Sequence, residues 1–169
     1  KALPTRVEQK RDTTLSARVP GTAVFVTYDV NKVPPAMSRQ VRAVPVLQKN
    51  VLVVGIKSEH VPVLAQEERC EVRALPHGFY QIVVRFGFME EPDLPAVLRR
   101  VTSEYQCDFD PDSTTYYLQR ETFLATRRGK MGPLREGLFS LLSRNARPAD
   151  AYLKIPPVNV VEIGAQFDL

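Results

Sequence analysis

The sequence has no apolar run long enough to cross a bilayer. Val51–Ile56 is the size of a strand, whereas a membrane helix needs about 20 consecutive apolar residues. A signal-peptide pattern is absent too, and because the chain starts at Lys1 rather than methionine we expect a domain cut out of a longer protein. With 169 residues and 44% hydrophobic content, that domain can bury a sizeable core as a single unit.

Cysteine and histidine, which often bind metals or catalyse reactions, are scarce. Cys70 and Cys107 form no metal-ligand spacing and no disulfide framework, so we interpret both as ordinary cytosolic thiols. Only His60 and His77 could act as imidazole bases. His77 lies in a Pro-His-Gly turn, where we expect it to be simply exposed to solvent. Nucleophile elbows, paired-histidine zinc motifs and Walker-type phosphate loops are absent. The sequence therefore predicts neither an enzyme nor a bound cofactor.

The charge balance is mildly basic. A net charge of +4 and a pI near 9.2 suit a neighbour that carries phosphates, either lipid head groups or a nucleotide, although an ordinary solvated surface is the interpretation that we favour. The basic residues are spread out among acidic ones, and no basic stripe with interleaved aromatics is present. We therefore predict no nucleic-acid partner.

A long strand that turns into an amphipathic helix is the clearest structural pattern. The strand positions alternate between apolar and other residues, and the apolar ones are Tyr80, Ile82, Val84, Phe86 and Phe88. Helical spacing then connects Leu94, Val97, Leu98, Val101 and Tyr105. Asp93 is placed to cap this helix, and Pro95 is tolerated in its first turn.

The segments before the long strand predict a βαβ unit and then a hairpin. Strands over 22–28 and 51–57 flank a short helix from Pro34, so a right-handed crossover should make these strands parallel. Cys70–Ala74 alternates and reaches the long strand through a tight turn, which predicts antiparallel pairing. The fold class expected is α/β, a mixed sheet with helices packed on it, and a universal-stress-protein-like arrangement is compatible with it.

The second half of the chain continues the alternation of strands and helices. The pattern predicts a strand over 114–124, a helix over 133–145 and a last strand over 158–163. Residues 1–17 are polar and without a period, so we interpret them as a flexible tether ahead of a domain spanning 18–169.

Two groups of charged residues are candidates for chemistry. Glu90 and Glu91 are the visible carboxylate pair, but neighbouring acids at a helix start are explained by the helix dipole, which we favour over acid-base catalysis. The stronger candidate is a basic loop that leads into the predicted helix and could contact an anion, a nucleotide or a membrane surface, formed by Arg127, Arg128, Gly129, Lys130 and Gly132. A solvated loop remains the simpler interpretation.

Two strand arginines predict structural ion pairs rather than a ligand site. Arg85 and Arg120 each lie in a strand pattern flanked by apolar residues, and acids such as Glu71 or Glu121 could pair with them.

Several ordered segments together resemble the cytoplasmic C-terminal domain of the KUP/HAK/KT family of potassium uptake permeases, in particular its bacterial Kup branch. The matching segments begin with Arg18–Phe25, Gly78–Tyr80 and Arg85–Pro92, and they continue with Arg120–Thr122, Leu142–Ala146, Pro156–Pro157 and Val160–Gly164. One segment departs from the bacterial pattern: Arg39–Pro45 replaces a segment rich in His, Asn and Lys, which puts any ligand or interface role of that segment in doubt here.

The resemblance implies the soluble tail of a proton-coupled potassium transporter whose ion path lies in an absent membrane part. It places the domain at the cytoplasmic face of the inner membrane, near an anionic leaflet, with its own transmembrane domain and a second copy as partners. It also implies regulation, in some relatives by nucleotide second messengers. The leading hypothesis is thus a regulatory or assembly domain, and the alternative is a nucleotide-binding sensor. The family-motif residues are interpreted as structural: Arg85, Gly87, Glu90, Glu91, Arg120, Glu121, Arg144 and Asn145.

Overall fold

A computed structural model describes residues 15–105, 109–124 and 149–168. Six strands are present in these ranges: β1 (Ala17–Thr27), β2 (Val46–Glu59), β3 (Cys70–Leu75), β4 (Phe79–Gly87), β5 (Thr115–Leu124) and β6 (Val160–Asp168). The helices are α1 (Pro35–Ala43), α2 (Leu94–Glu104) and the single turn α3 (Ala149–Tyr152), together with three short 3₁₀ turns.

The six strands form one mixed sheet in the order β3-β4-β2-β1-β5-β6. β1 pairs in parallel with both β2 and β5, β2 with β4, and β5 with β6, whereas β3 is antiparallel to β4. The α/β class, the parallel βαβ start and the antiparallel hairpin are therefore confirmed. The universal-stress-protein-like arrangement stays a prediction.

Two apolar clusters lie on opposite faces of the sheet. One face packs against α2 and the segment after α3, and its largest fully buried side chains include Tyr116, Leu52 and Leu98. The other face packs against α1, where Met37 contacts a cluster that includes Phe25 and Tyr117, whose rings stack with centroids 4.5 Å apart. The helices α1 and α2 each bury their apolar side against the sheet, as the faces of parallel sheets require.

The capping prediction for α2 is confirmed, because the Ala96 N–H donates to the Asp93 carboxylate at 2.9 Å. Several strand boundaries were predicted wrongly. β1 starts at Ala17 rather than at Thr22. β2 starts at Val46 rather than after Asn50, because pairing with Ala17–Val19 satisfies its backbone despite the polar side chains. β6 begins at Val160 and extends to Asp168. Phe88 lies in the turn after β4 and is 61% exposed, so it does not continue the buried alternation. The helix predicted over 133–145 lies outside the described residues.

Candidate functional site

The sheet changes its direction of winding between β1 and β5. The connection from β1 leads through α1 to β2 on one side, and the connection from β5 leads to β6 on the other. Two connections that diverge from neighbouring parallel strands leave a crevice beyond the carboxyl ends of those strands. The crevice at this position is the candidate functional site.

The crevice has a volume of about 510 Å³ and a largely apolar wall. Val26, at the end of β1, and Leu118, in the first half of β5, line the crevice, together with residues of α1, α3 and the β1–α1 loop. Two exposed tyrosines stand at its border, with Tyr28 93% exposed and Tyr152 52% exposed. The full lining is Val26, Thr27, Tyr28, Asp29, Lys32, Val33, Pro35, Ile56, Leu118, Gln119, Tyr152 and Leu153.

A small charged turn forms one side of the crevice. The Asn31 N–H donates to the Asp29 carboxylate at 3.0 Å, and the Lys32 ammonium lies 3.0 Å from the same carboxylate. The hydrogen bond from Lys32, followed by the one from Asn31, lowers the pKa of Asp29 below its ordinary value. The carboxylate therefore stays ionised at neutral pH and holds the Lys32 cation at the border of the crevice.

This arrangement suits the binding of a flat organic ligand. An apolar floor with exposed aromatic rings and a few polar groups at the edge is typical of a pocket for a flat organic ligand. None of the crevice residues is a cysteine or histidine, and the described residues hold no cluster of three or more acidic, histidine or cysteine side chains able to bind a metal ion.

Glu90 links two segments of the chain. Its carboxylate accepts hydrogen bonds from the Gly87 N–H at 2.7 Å and the Leu64 N–H at 3.3 Å, and it forms an ion pair with Arg69. Its side chain is only 11% exposed, and the hydrogen bonds, led by that from Gly87, lower the pKa of Glu90. The β2–β3 connection is thereby fastened to the turn after β4.

Glu91, in contrast, has a side chain that is 81% exposed and that contacts the Lys154 ammonium at 3.1 Å. The two glutamates thus point to different neighbours, as expected for consecutive residues. They do not form a shared acid-base pair.

The two strand arginines form ion pairs across neighbouring strands. Arg85 binds the Glu71 carboxylate at 2.9 Å and approaches Glu59 at 3.6 Å. Arg120 contacts Glu162 on β6 at 3.0 Å, a partner that the sequence did not suggest. The side chain of Glu121 is outside the description, as are Arg144 and Asn145.

The basic loop predicted to contact an anion lies outside the described residues, and it consists of Arg127, Arg128, Gly129, Lys130 and Gly132. Sequence reasoning missed the crevice because its residues come from separate segments that meet only through strand order. One signal was available, since Tyr28 and Asp29 directly follow a buried strand.

Comparison with known proteins identifies the family. The model of the family described as K+ potassium transporter C-terminal domain matches residues 20–169. Similar proteins occur in Myxococcus xanthus (45% identity over 152 residues), Anaeromyxobacter sp. (43% over 156) and Bordetella avium (39% over 154). Each is named "Probable potassium transport system protein Kup", and each alignment covers 90% of this chain. No solved structure matches.

The same alignments cover only 23%, 24% and 25% of the three relatives, so the chain spans about a quarter of their length. Among the helices in residues 15–105, 109–124 and 149–168, none is long and apolar enough to cross a membrane. The family model covers most of the chain, from the middle of β1 to the last residue. The chain therefore belongs to the family of K+ potassium transporter C-terminal domains.

Proposed function

We propose that this chain is a regulatory and assembly domain of a potassium transporter whose ion path lies in a membrane part outside the chain. The observation that carries the proposal is the coverage of the relatives: a family defined as a transporter's C-terminal domain matches nearly the whole chain, yet the chain accounts for about a quarter of each relative. The described residues contain no helix suited to a membrane path.

In this proposal residues 1–17 tether the domain, spanning 18–169, to the cytoplasmic side of the inner membrane. The net charge of +4 favours a position beneath an anionic leaflet. The domain would regulate uptake, coupled to protons as the sequence resemblance implies, by contacting the membrane part differently in two transport states. Such a bias requires a difference in contact free energy between those states.

Deleting residues 18–169 from the full-length parent tests this role. We expect altered potassium uptake, a changed oligomer size in detergent, or both, measured at matched protein levels in the membrane. A parent that lacks the domain but keeps the same uptake and the same oligomer size across potassium concentrations would contradict the proposal.

A second candidate function, a nucleotide-binding sensor, is favoured by the crevice between β1 and β5, at the carboxyl end of β1. Nucleotides bind at this position in many open parallel sheets, because the crevice accepts a flat base. The rings of Tyr28 and Tyr152 are available for stacking, and the ammonium of Lys32 supplies a positive charge. The basic residues Arg127 and Arg128 follow β5, which ends at the same edge of the sheet.

Calorimetry with a panel of purine and pyrimidine nucleotides tests the sensor. We expect the binding heat to be lost in Tyr28→Ala and Tyr152→Ala and weakened in Arg127→Ala and Arg128→Ala. Tyr105→Ala is the matched control, because Tyr105 is 43% exposed at the end of α2 and does not line the crevice. Absence of binding at high micromolar nucleotide, or equal loss in the control, would argue against a sensor.

A further inference from the structure

The outer edge of β3 is unpaired within the described part of the chain. β3 is the end strand of the sheet and pairs with β4 alone. An edge strand of this kind presents backbone N–H and C=O groups that another strand can bind. The chain segments before and after β3 both lie within the described residues. The segment before β6, the other end strand, contains residues 125–148, which lie outside them.

The register of the β3–β4 pair shows which backbone groups face outward. The Arg85 N–H donates to the Arg69 carbonyl at 2.7 Å, in line with the register in which Cys70 lies opposite Val84. Hydrogen-bonded pairs alternate along an antiparallel ladder, so the odd-numbered residues of β3 bond to β4. The N–H and C=O groups of Cys70, Val72 and Ala74 consequently point away from the sheet.

The side chains of β3 divide into a charged and a less polar set. Glu71 and Arg73 are exposed on one face of the sheet, and Glu71 pairs with Arg85. Arg73 forms no ion pair with any described residue. Cys70 and Val72, on the other face, pack at the border of the core under α2.

We propose that β3 pairs with β3 of a second copy of this chain, so that two six-stranded sheets join into one across a two-fold axis at Val72. In this register, Cys70 of one copy exchanges backbone hydrogen bonds with Ala74 of the other, and Val72 with Val72. Each outward backbone group then finds a partner, as in strand addition to a sheet edge.

Charge selects this register over its neighbours. With the axis at Val72, Glu71 lies opposite Arg73 of the second copy, and Arg73 opposite its Glu71. These are pairs without backbone hydrogen bonds, in which side chains approach closely, with Cα atoms about 4.5 Å apart. Only shifts by two residues keep the outward backbone groups matched. One such shift places Glu71 against Glu71, and the other places Arg73 against Arg73.

The second copy extends the ion pairs already present within one copy. Glu71 would lie between Arg85 of its own copy and Arg73 of the other, and Arg85 also approaches Glu59. The exposed Arg73 would gain its carboxylate partner. A foreign strand without a carboxylate opposite Arg73 would leave Arg73 unpaired, whereas a second copy places Glu71 there, so a second copy is the occupant that fits.

This inference deepens the assembly role proposed above, but it is tested on the isolated chain. Its failure is therefore distinguishable from failure of the transporter role, which is measured by uptake in the parent.

Sedimentation velocity at chain concentrations from micromolar to several hundred micromolar should show a monomer–dimer equilibrium. Arg73→Glu places a glutamate opposite Glu71 at both symmetry-related positions of the interface. The repulsion should raise the dimer Kd by about tenfold or more. Lys57→Glu is the matched charge reversal on the same face, two strands inward, and should leave Kd unchanged.

Mixing and cross-linking give two independent checks. Glu71→Arg alone should also have a raised dimer Kd, yet it should associate more tightly with Arg73→Glu when the two are mixed, because opposite charges face each other again. In a background with Cys70→Ser and Cys107→Ser, mild oxidation should cross-link Val72→Cys, which meets itself at the axis within disulfide range, but not Ala74→Cys. Circular dichroism verifies that each variant is folded.

Three results would overturn the proposal. The first is a chain that stays monomeric throughout the concentration range. The second is a dimer that persists unchanged in Arg73→Glu. The third is equal cross-linking at positions 72 and 74, which would place the interface elsewhere or pair β3 with a different strand.

Discussion

At the scale of single residues, Glu90 and Glu91 differ in what they do despite being neighbours. We expect Glu90→Gln to destabilise the fold clearly more than Glu91→Gln. The Glu90 carboxylate accepts two backbone N–H bonds and pairs with the nearly buried Arg69, whereas Glu91 is solvated and contacts only the exposed Lys154. Removing one member of a sheltered ion pair leaves the other charge without compensation.

Urea denaturation of the three proteins at pH 7 measures the difference. Glu91→Gln serves as the control because the chemical change is identical and surface ion pairs contribute little. Equal free energies of unfolding for the two variants would show that the contacts of Glu90 do not fasten the loop to the sheet.

Tyr116 carries a hydroxyl group that is buried without a hydrogen-bond partner among the described residues. Tyr116→Phe keeps the ring and removes that group. We expect the free energy of unfolding to rise by about 1 kcal/mol, because an unsatisfied buried hydroxyl costs about 1–3 kcal/mol. Thermal unfolding of both proteins at pH 7 measures this, and a less stable variant would mean that the hydroxyl has a partner after all.

At the scale of elements, Gly87 is where the β2–β3 connection touches the end of β4. A Cβ atom at Gly87 would overlap the Pro62 carbonyl, and the Phe88 N–H donates to the Val61 carbonyl at 2.9 Å. Gly87→Ala should therefore destabilise the chain by about 1–3 kcal/mol, the typical cost of overpacking. Gly164→Ala on β6 is the control, since a Cβ there meets nothing within 4 Å. Chemical denaturation compares the two, and equal stability would refute the close approach.

The elements themselves could largely be predicted from the sequence, because their signals are local. Alternation in Tyr80–Phe86 and helical spacing after Asp93 each reflect one buried side, which an element keeps wherever it packs. The same logic explains the failures. The start of β2 depends on pairing with Ala17–Val19, and the partner of Arg120 lies on β6, far away in the chain. Contacts of this kind carry no local pattern.

The crevice could not be predicted for the same reason, at a larger scale. Its wall combines the end of β1 and the first half of β5 with Lys32 and Tyr152, and only the strand order brings these together. The predicted basic loop follows β5 in the sequence, and a single ligand contacting both the loop and the crevice would link the sequence hypothesis to the observed site. The nucleotide panel tests that link.

At the scale of the whole molecule, stability should depend on pH at both ends of the range. Hydrogen bonds hold the pKa of Glu90 below its ordinary value of 4.5, so the folded state binds fewer protons there than the unfolded state. This contribution is present above pH 4.5 and is lost as pH falls through the lowered pKa. Burial raises the pKa of Tyr116 from 10.0 to about 12. Above pH 10 the unfolded state therefore loses this proton first, and stability falls until about pH 12.

Each limb of this profile has a variant that isolates it. Glu90→Gln should flatten the acid limb relative to the parent chain, and Tyr116→Phe should flatten the alkaline limb, while each leaves the other limb unchanged. The free energy of unfolding, measured by urea denaturation from acid to alkaline pH, checks both. If the parent chain and Tyr116→Phe lost stability in parallel above pH 10, Tyr116 would ionise as readily in the folded chain as in the unfolded one. The packing of α2 over β5 would then admit water to the Tyr116 hydroxyl.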